Sequence, residues 1–457
     1  MDPILIEACE AVVTMDDAGT EIRGGSILIE NGVISRIGPA TPQATGAARV
    51  DGRGTIALPG FINTHHHLYQ TLTRVRAQDQ RLFGWLRALY PVWAGLDEEW
   101  ARAAARAALA ELALSGCSTT ADHHYLFPTR GKSLAVLAAE VDAAREIGLR
   151  FHPSRGSMDR GESQGGLPPD SVVEDLDAIL AETEDVVRRL HDPSPGALLR
   201  IAVAPCSPFS VSDRLMRESA ALARRLGVRL HTHLAETPDE DEFCRQTYGC
   251  RPLELLERLD WLGPDVWFAH CVHLGDDDIR RMARSGAAVA WCPTSNLRLG
   301  SGIAPAQAFR EAGVPVGLAV DGSASNDTGN MLAEARLGML VARARPKGWM
   351  SAREALWIAT RGGAACLGRD DIGSLEAGKR ADIALIPVDG LATAGAEADL
   401  VAAVVYCAPQ RVRDLFVEGR AVVRDGRLAT ADEDEIADTA RRLGRRLVAR
   451  SEGRTAR

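Results

Sequence analysis

Lysine is almost missing from this 457-residue chain: only three of its 53 basic residues are lysines, Lys132, Lys347 and Lys379. We attribute this bias to coding preference rather than to function. Acidic residues outnumber basic ones, and the formal net charge is −9. Binding to a nucleic-acid backbone needs clustered lysine and arginine that release counterions, so this composition argues against a nucleic-acid partner.

The chain also lacks several features of exported and membrane proteins. Its nine cysteines contain no CxxC pair, and many lie in apolar segments, which favours buried free thiols over a disulfide framework. No apolar run reaches the ~18 residues of a membrane span. The N-terminal residues show no basic region followed by an apolar one, so no signal peptide is expected. We therefore expect a cytoplasmic protein with no membrane contact.

What is present is the composition of a packed globule, with 46% hydrophobic and 25% charged residues. Short β-rich segments occur at both chain ends, and an Asn31-Gly32 pair suits a hairpin turn. The segments are residues 4–14, 25–30, 33–37, 373–387, 401–406 and 412–423. Neither group alone buries enough surface. We predict that residues 1–58 and 370–430 together form a small β-sandwich.

Between these ends, apolar strand-like runs alternate with amphipathic helices such as residues 98–115 and 213–226. The eight runs are residues 54–64, 118–123, 148–153, 199–205, 228–234, 266–271, 287–292 and 315–320. This alternation predicts an α/β fold, a (β/α)8 TIM barrel over residues 59–369. A doubly wound open sheet is the alternative, but it usually carries a Gly-rich phosphate loop, and none occurs here. Residues 431–457 are expected to form a charged helical tail.

Histidines are few, and seven of the 11 lie at the C-terminal ends of predicted strands, where barrel enzymes build their sites. They are His65, His66, His67, His123, His124, His233 and His270. Residues i and i+2 of a strand point to the same side, so His65 and His67 can bind one metal ion while His66 points away. Taken alone, the three histidines could also form a solvated polar turn.

A second group is the HTHLAE string at residues 231–236. His233 is the expected third metal ligand, and Glu236 can carry protons between water and a leaving amine. His231 lies on the same side but deeper, which favours a supporting role.

The sixth and eighth strand ends complete the expected site. His270 is preferred to His273 as the residue that holds the attacking water or polarises the substrate. Asp321 can bind the metal weakly and accept a proton from bound water, although Asp-Gly-Ser also suits a helix N-cap. Three neutral imidazoles leave the full charge on one divalent metal, which lowers the pKa of bound water to about 7. Zinc is the expected ion, and iron, cobalt and manganese remain open.

These strings resemble the amidohydrolase superfamily: PGFINTHHH at residues 59–67, then His233 to Glu236, His270 and Asp321. Binuclear members carry a carboxylated lysine after strand four, whereas residues 201–210 contain no lysine. The resemblance therefore implies a mononuclear zinc aminohydrolase that releases ammonia by attack of zinc-bound hydroxide.

Finer strings are similar to the 8-oxoguanine deaminases: HLYQTLTR at 67–74, ADHHYLFP at 121–128, RGSM at 155–158 and GGLPPD at 165–170. That resemblance implies conversion of 8-oxoguanine to urate and ammonia. Hydroxyatrazine-type hydrolases and pterin deaminases share much of the pattern, so hydroxyatrazine, isoxanthopterin, guanine and isoguanine stay open as substrates. A catalytically silent barrel is the remaining alternative, but such a protein need not keep the four expected ligands.

Substrate contacts are expected from four residues. Gln70 can donate to and accept from a lactam edge. Trp85 can pack on a planar ring or belong to the core. His124 and Arg155 can each bind an exocyclic oxygen, although Arg155 can instead pair with a carboxylate, and Asn296 can be a turn former. The expected partner is a small heterocycle such as an oxidised purine, and a homo-oligomer is expected without a fixed number of subunits.

Overall fold

The structure is a computed structural model that describes residues 2–39, 44, 46–408, 410–451 and 453. Its strands are β1 (Ile4–Glu7), β2 (Ala11–Val13), β3 (Glu21–Arg23), β4 (Ser26–Glu30), β5 (Val33–Gly38), β6 (Ala48–Asp51), β7 (Thr55–Pro59), β8 (Phe61–Asn63), β9 (Cys117–His124), β10 (Arg150–Ser157), β11 (Ala202–Pro205), β12 (Arg229–Leu234), β13 (Val266–His270), β14 (Ala288–Trp291), β15 (Val316–Leu318), β16 (Ile383–Pro387), β17 (Asp414–Val417), β18 (Arg420–Arg424) and β19 (Arg427–Leu428).

The α-helices are α1 (Leu82–Trp93), α2 (Glu98–Leu114), α3 (Ser133–Ile147), α4 (Leu176–Leu190), α5 (Asp213–Leu226), α6 (Pro238–Tyr248), α7 (Pro252–Arg258), α8 (Asp276–Ser285), α9 (Pro293–Arg298), α10 (Ala306–Glu311), α11 (Met331–Ala342), α12 (Ala352–Trp357), α13 (Gly363–Cys366), α14 (Leu400–Tyr406) and α15 (Glu433–Ser451). A 3₁₀ segment at Leu68–Thr73 follows the three consecutive histidines. No helix in the described part of the chain combines the length and apolarity needed to cross a membrane.

The central sheet consists of β8 to β15 in sequence order, and every neighbouring pair is parallel. Backbone hydrogen bonds join its two edges just beyond β8 and β15: the Thr64 N–H donates to Leu318 O at 3.0 Å, and the Asp321 N–H donates to His65 O at 3.2 Å. The sheet therefore curves into a (β/α)8 barrel, which confirms the predicted fold and excludes the open doubly wound sheet. The C-terminal ends of all eight strands meet at one face.

The predicted strand 54–64 is wrong as a single element, because it divides at Gly60. Strand β7 pairs with β16 in a terminal sheet, whereas β8 opens the barrel. A Cβ at Gly60 would lie 2.4 Å from the Ser118 side chain, so only glycine allows the two sheets to approach this closely.

Both chain ends contribute to the two remaining sheets. One sheet has the order β5-β4-β1-β6, and the other has the order β19-β18-β17-β16-β7-β2-β3. Buried side chains from both sheets share one apolar cluster, including Ile6, Ile29, Val12, Ile383 and Phe416. The β-sandwich built from both chain ends is thus confirmed.

Residues 401–406 were predicted as a strand, and this prediction is wrong because they lie in helix α14. The Asp399 side chain caps the helix by accepting from the Ala402 N–H at 3.0 Å. Val401, Val404 and Val405 are buried on one face. Short apolar valine runs fit a strand or a helix equally well by periodicity, so the cap decides the outcome.

The C-terminal helix α15 packs across α2 and buries Ile436, Leu443 and Leu447. Arg106 of α2 also pairs with Glu435 at 2.6 Å. The same helix packs against α1 and against the 3₁₀ segment that follows the three histidines, so the tail covers the side of the barrel next to β8.

Candidate active site

Three strands end in a left-handed residue at the barrel mouth. Ala235 follows β12 with φ 50°, His270 ends β13 with φ 72°, and Asp321 follows β15 with φ 63°. This conformation costs a non-glycine residue about 1–3 kcal/mol and is common at functional sites. The turn after β12 directs Glu236 toward the cavity, whereas His270 and Asp321 line the cavity with their own side chains.

The turn after β12 is held by Glu240, a buried residue that sequence reasoning missed. Its carboxylate accepts from the Ala235 N–H at 2.8 Å and from the Glu236 N–H at 3.0 Å. Burial raises the pKa of Glu240 to about 7. The only sequence signal was the acidic first turn of α6. Glu240 thereby fixes the backbone from which Glu236 projects.

Four side chains predicted as metal ligands converge on one point. His67 Nε2 lies 3.1 Å from His233 Nε2, and Asp321 Oδ1 lies 3.2 Å from His65 Nε2 and 3.4 Å from His67 Nε2. All four residues are buried. Burial lowers the pKa of His65, His67 and His233, so these imidazoles are neutral. The predicted set is thus brought together by the fold.

Hydrogen bonds fix which nitrogen of each ring carries the proton. His67 Nδ1 donates to His123 O at 2.7 Å, and His233 Nδ1 donates to Cys206 O at 2.7 Å. A neutral ring with a protonated Nδ1 presents a lone pair at Nε2. Both Nε2 atoms therefore point bare electron pairs into the convergence point.

His65 is oriented through His231. His231 Nδ1 donates to Trp267 O at 2.8 Å, so its Nε2 accepts from His65 Nδ1 at 2.7 Å. This leaves a lone pair on His65 Nε2, a buried atom with no hydrogen-bond partner among the described residues. His231 thus lies in the supporting position expected of it, where it accepts a hydrogen bond from His65 Nδ1.

The donor set fits a divalent cation. Three imidazole lone pairs and a carboxylate oxygen repel one another at these distances unless a cation lies between them. Groups of three such atoms within 4.8 Å of one another include His65, His67 and Asp321, and also His65, His233 and His270. His66 belongs to none of these groups.

We expect His231→Phe to lower metal affinity about 10–100-fold, the usual effect of losing a residue that orients a ligand. Phenylalanine keeps a ring against Trp267, on which His231 stacks at 4.4 Å, but it has no acceptor for His65 Nδ1. Competition with a chelator measures the dissociation constant. An unchanged value would mean that His231 does not set the His65 tautomer.

Glu236 and His270 lie beside the convergence point as a pair. Glu236 Oε2 is 3.6 Å from His270 Nε2, and His270 Nδ1 is 2.9 Å from Asn296 Oδ1. Burial raises the pKa of Glu236, which favours a carboxyl able to hold a proton. Burial opposes charge on His270, but the Glu236 and Asp321 carboxylates outweigh it and raise the pKa of His270. Asn296, which sequence reasoning offered as a turn former, orients His270.

His273, the alternative to His270, lies outside this pair. Its Nε2 donates to Ser301 O at 2.9 Å, and it does not line the cavity described below.

Asp321 is held at both carboxylate oxygens. Oδ1 accepts from the Gly322 N–H at 2.7 Å, while Oδ2 accepts from the Ser295 and Ser325 hydroxyls at 2.5 and 3.0 Å. These contacts are not those of a helix N-cap, which was the alternative role for Asp321.

A narrow cavity with a free volume of about 30 Å³ opens onto these groups. Gln70 and Trp85, the two predicted substrate contacts that reach it, line it together with Leu82, Leu86, Tyr90, Tyr125, Cys206, Phe209, Leu299 and Ser325. The buried Gln70 Oε1 has no hydrogen-bond partner among the described residues. Neither lysine nor arginine lines the described part of this cavity, so it suits an uncharged, flat ligand.

His124 and Arg155 lie elsewhere, and the structure does not support their prediction as substrate contacts. His124 bonds Glu140 Oε1 at 2.7 Å and Leu126 O at 2.8 Å, so both ring nitrogens are engaged outside the cavity. Arg155 forms two hydrogen bonds with Glu174, at 2.7 and 3.0 Å, and lies over the Phe127 ring. The carboxylate pairing offered as the alternative for Arg155 is the one found.

Comparison with known proteins gives three related results. A model described as "Amidohydrolase family" matches residues 56–422. The chain is 45% identical over 418 residues to 8-oxoguanine deaminase of Pseudomonas aeruginosa, covering 91% of this chain and 92% of that protein. It is 37% identical over 468 residues to hydroxydechloroatrazine ethylaminohydrolase of Pseudomonas sp. strain ADP, covering 98% and 96%.

Among solved structures, atrazine chlorohydrolase from Arthrobacter aurescens TC1 complexed with zinc matches with a TM-score of 0.92 and 36% identity. The match covers 96% of this chain and 100% of that one.

Proposed function

Because this chain belongs to the amidohydrolase family, we propose that it is a metal-dependent deaminase that converts 8-oxoguanine and water to urate and ammonia. The observation that carries the proposal is the convergence of three neutral imidazoles and Asp321 beside the Glu236–His270 pair. The 45% identity to a deaminase of this purine supports the choice of substrate.

In this proposal His65, His67, His233 and Asp321 hold one divalent ion, and zinc is supported by the zinc-bound structural relative. When bound, such an ion supplies Lewis-acid activation of a water molecule. Asp321 Oδ1 lies 3.2 Å from His65 Nε2 and 3.4 Å from His67 Nε2, where it can accept a proton from water. Its other oxygen is occupied by two hydroxyl groups and is not available as a base.

Glu236 and His270 serve the substrate side of the site. Glu236 is a buried carboxyl with a raised pKa, so it can pass one proton to a ring nitrogen and a second to the departing amine. Both protons come from the water molecule that is consumed, whose oxygen becomes the new carbonyl oxygen. His270 lies within 3.6 Å of Glu236 and is held by Asn296. This position suits it to stabilise the oxygen that the attacking water adds to the ring carbon. The C–N bond to the exocyclic amine breaks, and ammonia leaves.

The cavity walls support a free base rather than a nucleotide. Trp85, Tyr90 and Phe209 offer flat apolar surfaces, and Gln70 offers one donor and one acceptor. A phosphorylated substrate would need a cationic partner, and no such side chain lines the described cavity.

Hydrolysis of a hydroxyatrazine-type triazine is the second candidate. The 37% identity to an ethylaminohydrolase of hydroxydechloroatrazine favours it, and the same metal ligands and proton carriers serve either ring. Isoxanthopterin, guanine and isoguanine remain further candidates for the same chemistry.

Ammonia release from a panel of these five rings tests the proposal, using enzyme of measured metal content. We expect kcat/KM for 8-oxoguanine to exceed that of every other ring by about tenfold or more, equivalent to ~1.4 kcal/mol of transition-state discrimination. Faster release from another ring moves the substrate assignment to that ring. If the metal-loaded enzyme released no ammonia from any of the five rings, the proposed substrate class would be contradicted.

Three further expectations stay predictions. The domain boundaries at residues 58, 369 and 430 and the homo-oligomer are untested. A cytoplasmic location is supported by the cysteines, all of which are free thiols in the structure, eight of them buried.

A further inference from the structure

Glu334 of helix α11 is a buried carboxylate that forms no ion pair within the described residues. Instead it accepts three hydrogen bonds from uncharged donors. Oε1 accepts from the Thr294 N–H at 2.9 Å, and Oε2 accepts from Thr294 Oγ1 at 2.6 Å and Asn326 Nδ2 at 2.9 Å. A buried carboxylate without a cation is costly, so it calls for an explanation.

The two residues that Glu334 binds are neighbours of the two that hold Asp321. Thr294 precedes Ser295, and Asn326 follows Ser325. Both serine hydroxyls donate to Asp321 Oδ2, at 2.5 and 3.0 Å. Asn326 Nδ2 also donates to Val320 O at 2.7 Å, one residue before Asp321. Glu334 therefore ties the first turn of α9, which follows β14, to the loop after β15 that carries Asp321.

We propose that Glu334 is a positioning residue that fixes the Asp321 carboxylate by holding Ser295 and Ser325 in place. With Oδ2 saturated by two hydroxyl donors, only Oδ1 faces the histidine Nε2 atoms. The inference rests on the proposed function for its kinetic consequence, since Asp321 is there assigned as metal ligand and proton acceptor. Its geometric part, the orientation of one ligand oxygen, is independent of the substrate.

An amide of the same size cannot replace the carboxylate. If the Glu334→Gln amide nitrogen faces the Thr294 N–H, two donors oppose each other, and that backbone group cannot turn. If the amide nitrogen faces Asn326, it meets an Nδ2 group held by Val320 O. Either orientation leaves a buried donor unpaired, which costs about 1–3 kcal/mol and loosens one of the two loops.

The test compares Glu334→Gln with Glu311→Gln, a matched change at an exposed position on α10. We expect Glu334→Gln to lower kcat about 10–100-fold, with KM within about threefold and one metal per chain retained. The cobalt-substituted variant should show shifted visible absorption bands, because the carboxylate oxygen is less well placed. Glu311→Gln should match the wild-type chain in all of these measurements.

A mutant cycle separates positioning from general stabilisation. Ser295→Ala with Ser325→Ala removes the groups through which Glu334 is inferred to act. Adding Glu334→Gln to that pair should then lower kcat by less than a further threefold. If the residues acted independently, the fold losses in kcat would multiply. Thr294→Val, which keeps the side-chain shape and removes one donor, should lower kcat in the same direction and serves if Glu334→Gln does not fold.

Wild-type kcat in Glu334→Gln or Thr294→Val would overturn the inference, as would losses that multiply in the cycle. If the wild-type chain releases no ammonia, the proposed function fails separately. The cobalt spectra of wild-type and variant chains then still decide the positioning role: unchanged bands overturn it, and shifted bands support it.

Discussion

Glu236→Gln is expected to lower kcat for ammonia release by about 10²–10⁴-fold, the usual contribution of a positioned acid–base group. Glutamine fits the same space and keeps the contact with Ser301 Oγ at 3.4 Å, but it cannot take up and deliver a proton. Metal content should stay at one ion per chain, because Glu236 is not among the four residues assigned as ligands. Steady-state ammonia release and elemental analysis of the same preparation give both quantities.

The matched control is Glu242→Gln, an exposed position on α6, the helix that follows Glu236. It should retain wild-type kcat and metal content. Full turnover by Glu236→Gln with metal bound would show that another group carries the proton. His270 would then be the first residue to consider, since its Nε2 lies 3.6 Å from the Glu236 carboxylate.

The convergence of the residues proposed to bind the metal could be predicted because two simple regularities determine their positions. Parallel barrel strands place all their C-terminal ends on one face, and side chains alternate along an extended chain. The first regularity brings His65, His233 and Asp321 together from distant parts of the sequence. The second selects His65 and His67 over His66.

The same alternation explains why His124, predicted to contact the substrate, lies outside the cavity. His123 and His124 end β9 and point to opposite sides: His123 stacks on His233 at 4.8 Å, whereas His124 reaches out to Glu140 on α3. Two adjacent histidines at a strand end do not by themselves indicate which side chain faces the barrel axis. Arg155 fails for a related reason, because its carboxylate partner Glu174 lies in an irregular segment whose path has no sequence period.

The residues that orient the site were beyond sequence reasoning. Ser295 and Asn296 lie in the short helix α9 and Ser325 lies in the loop after β15, and no periodic pattern indicates which of these side chains faces the site. Glu240 and Glu334 look like ordinary charged residues of amphipathic helices. Only the folded chain shows that both are buried and that each accepts hydrogen bonds from active-site loops.

His65→Ala should abolish stable metal binding, whereas His66→Ala should keep one metal per chain. The two residues are adjacent and fully buried, so each substitution removes the same volume from the interior. His65 Nε2 faces the convergence point, and losing a direct ligand should exceed the ~10–100-fold loss typical of an orienting residue. Both His66 nitrogens lack hydrogen-bond partners in the described chain, and burial lowers the pKa of His66 to about 3.

The pair of variants is informative because packing loss affects both alike. Metal content after dialysis against a chelator, together with the thermal midpoint, separates ligand loss from general destabilisation. A lower midpoint in both variants with metal lost only from His65→Ala is the expected pattern. If His66→Ala loses the metal as thoroughly as His65→Ala, strand alternation does not select the ligands at this position. The ion would then depend on all three consecutive histidines, and the four-ligand assignment would have to be revised.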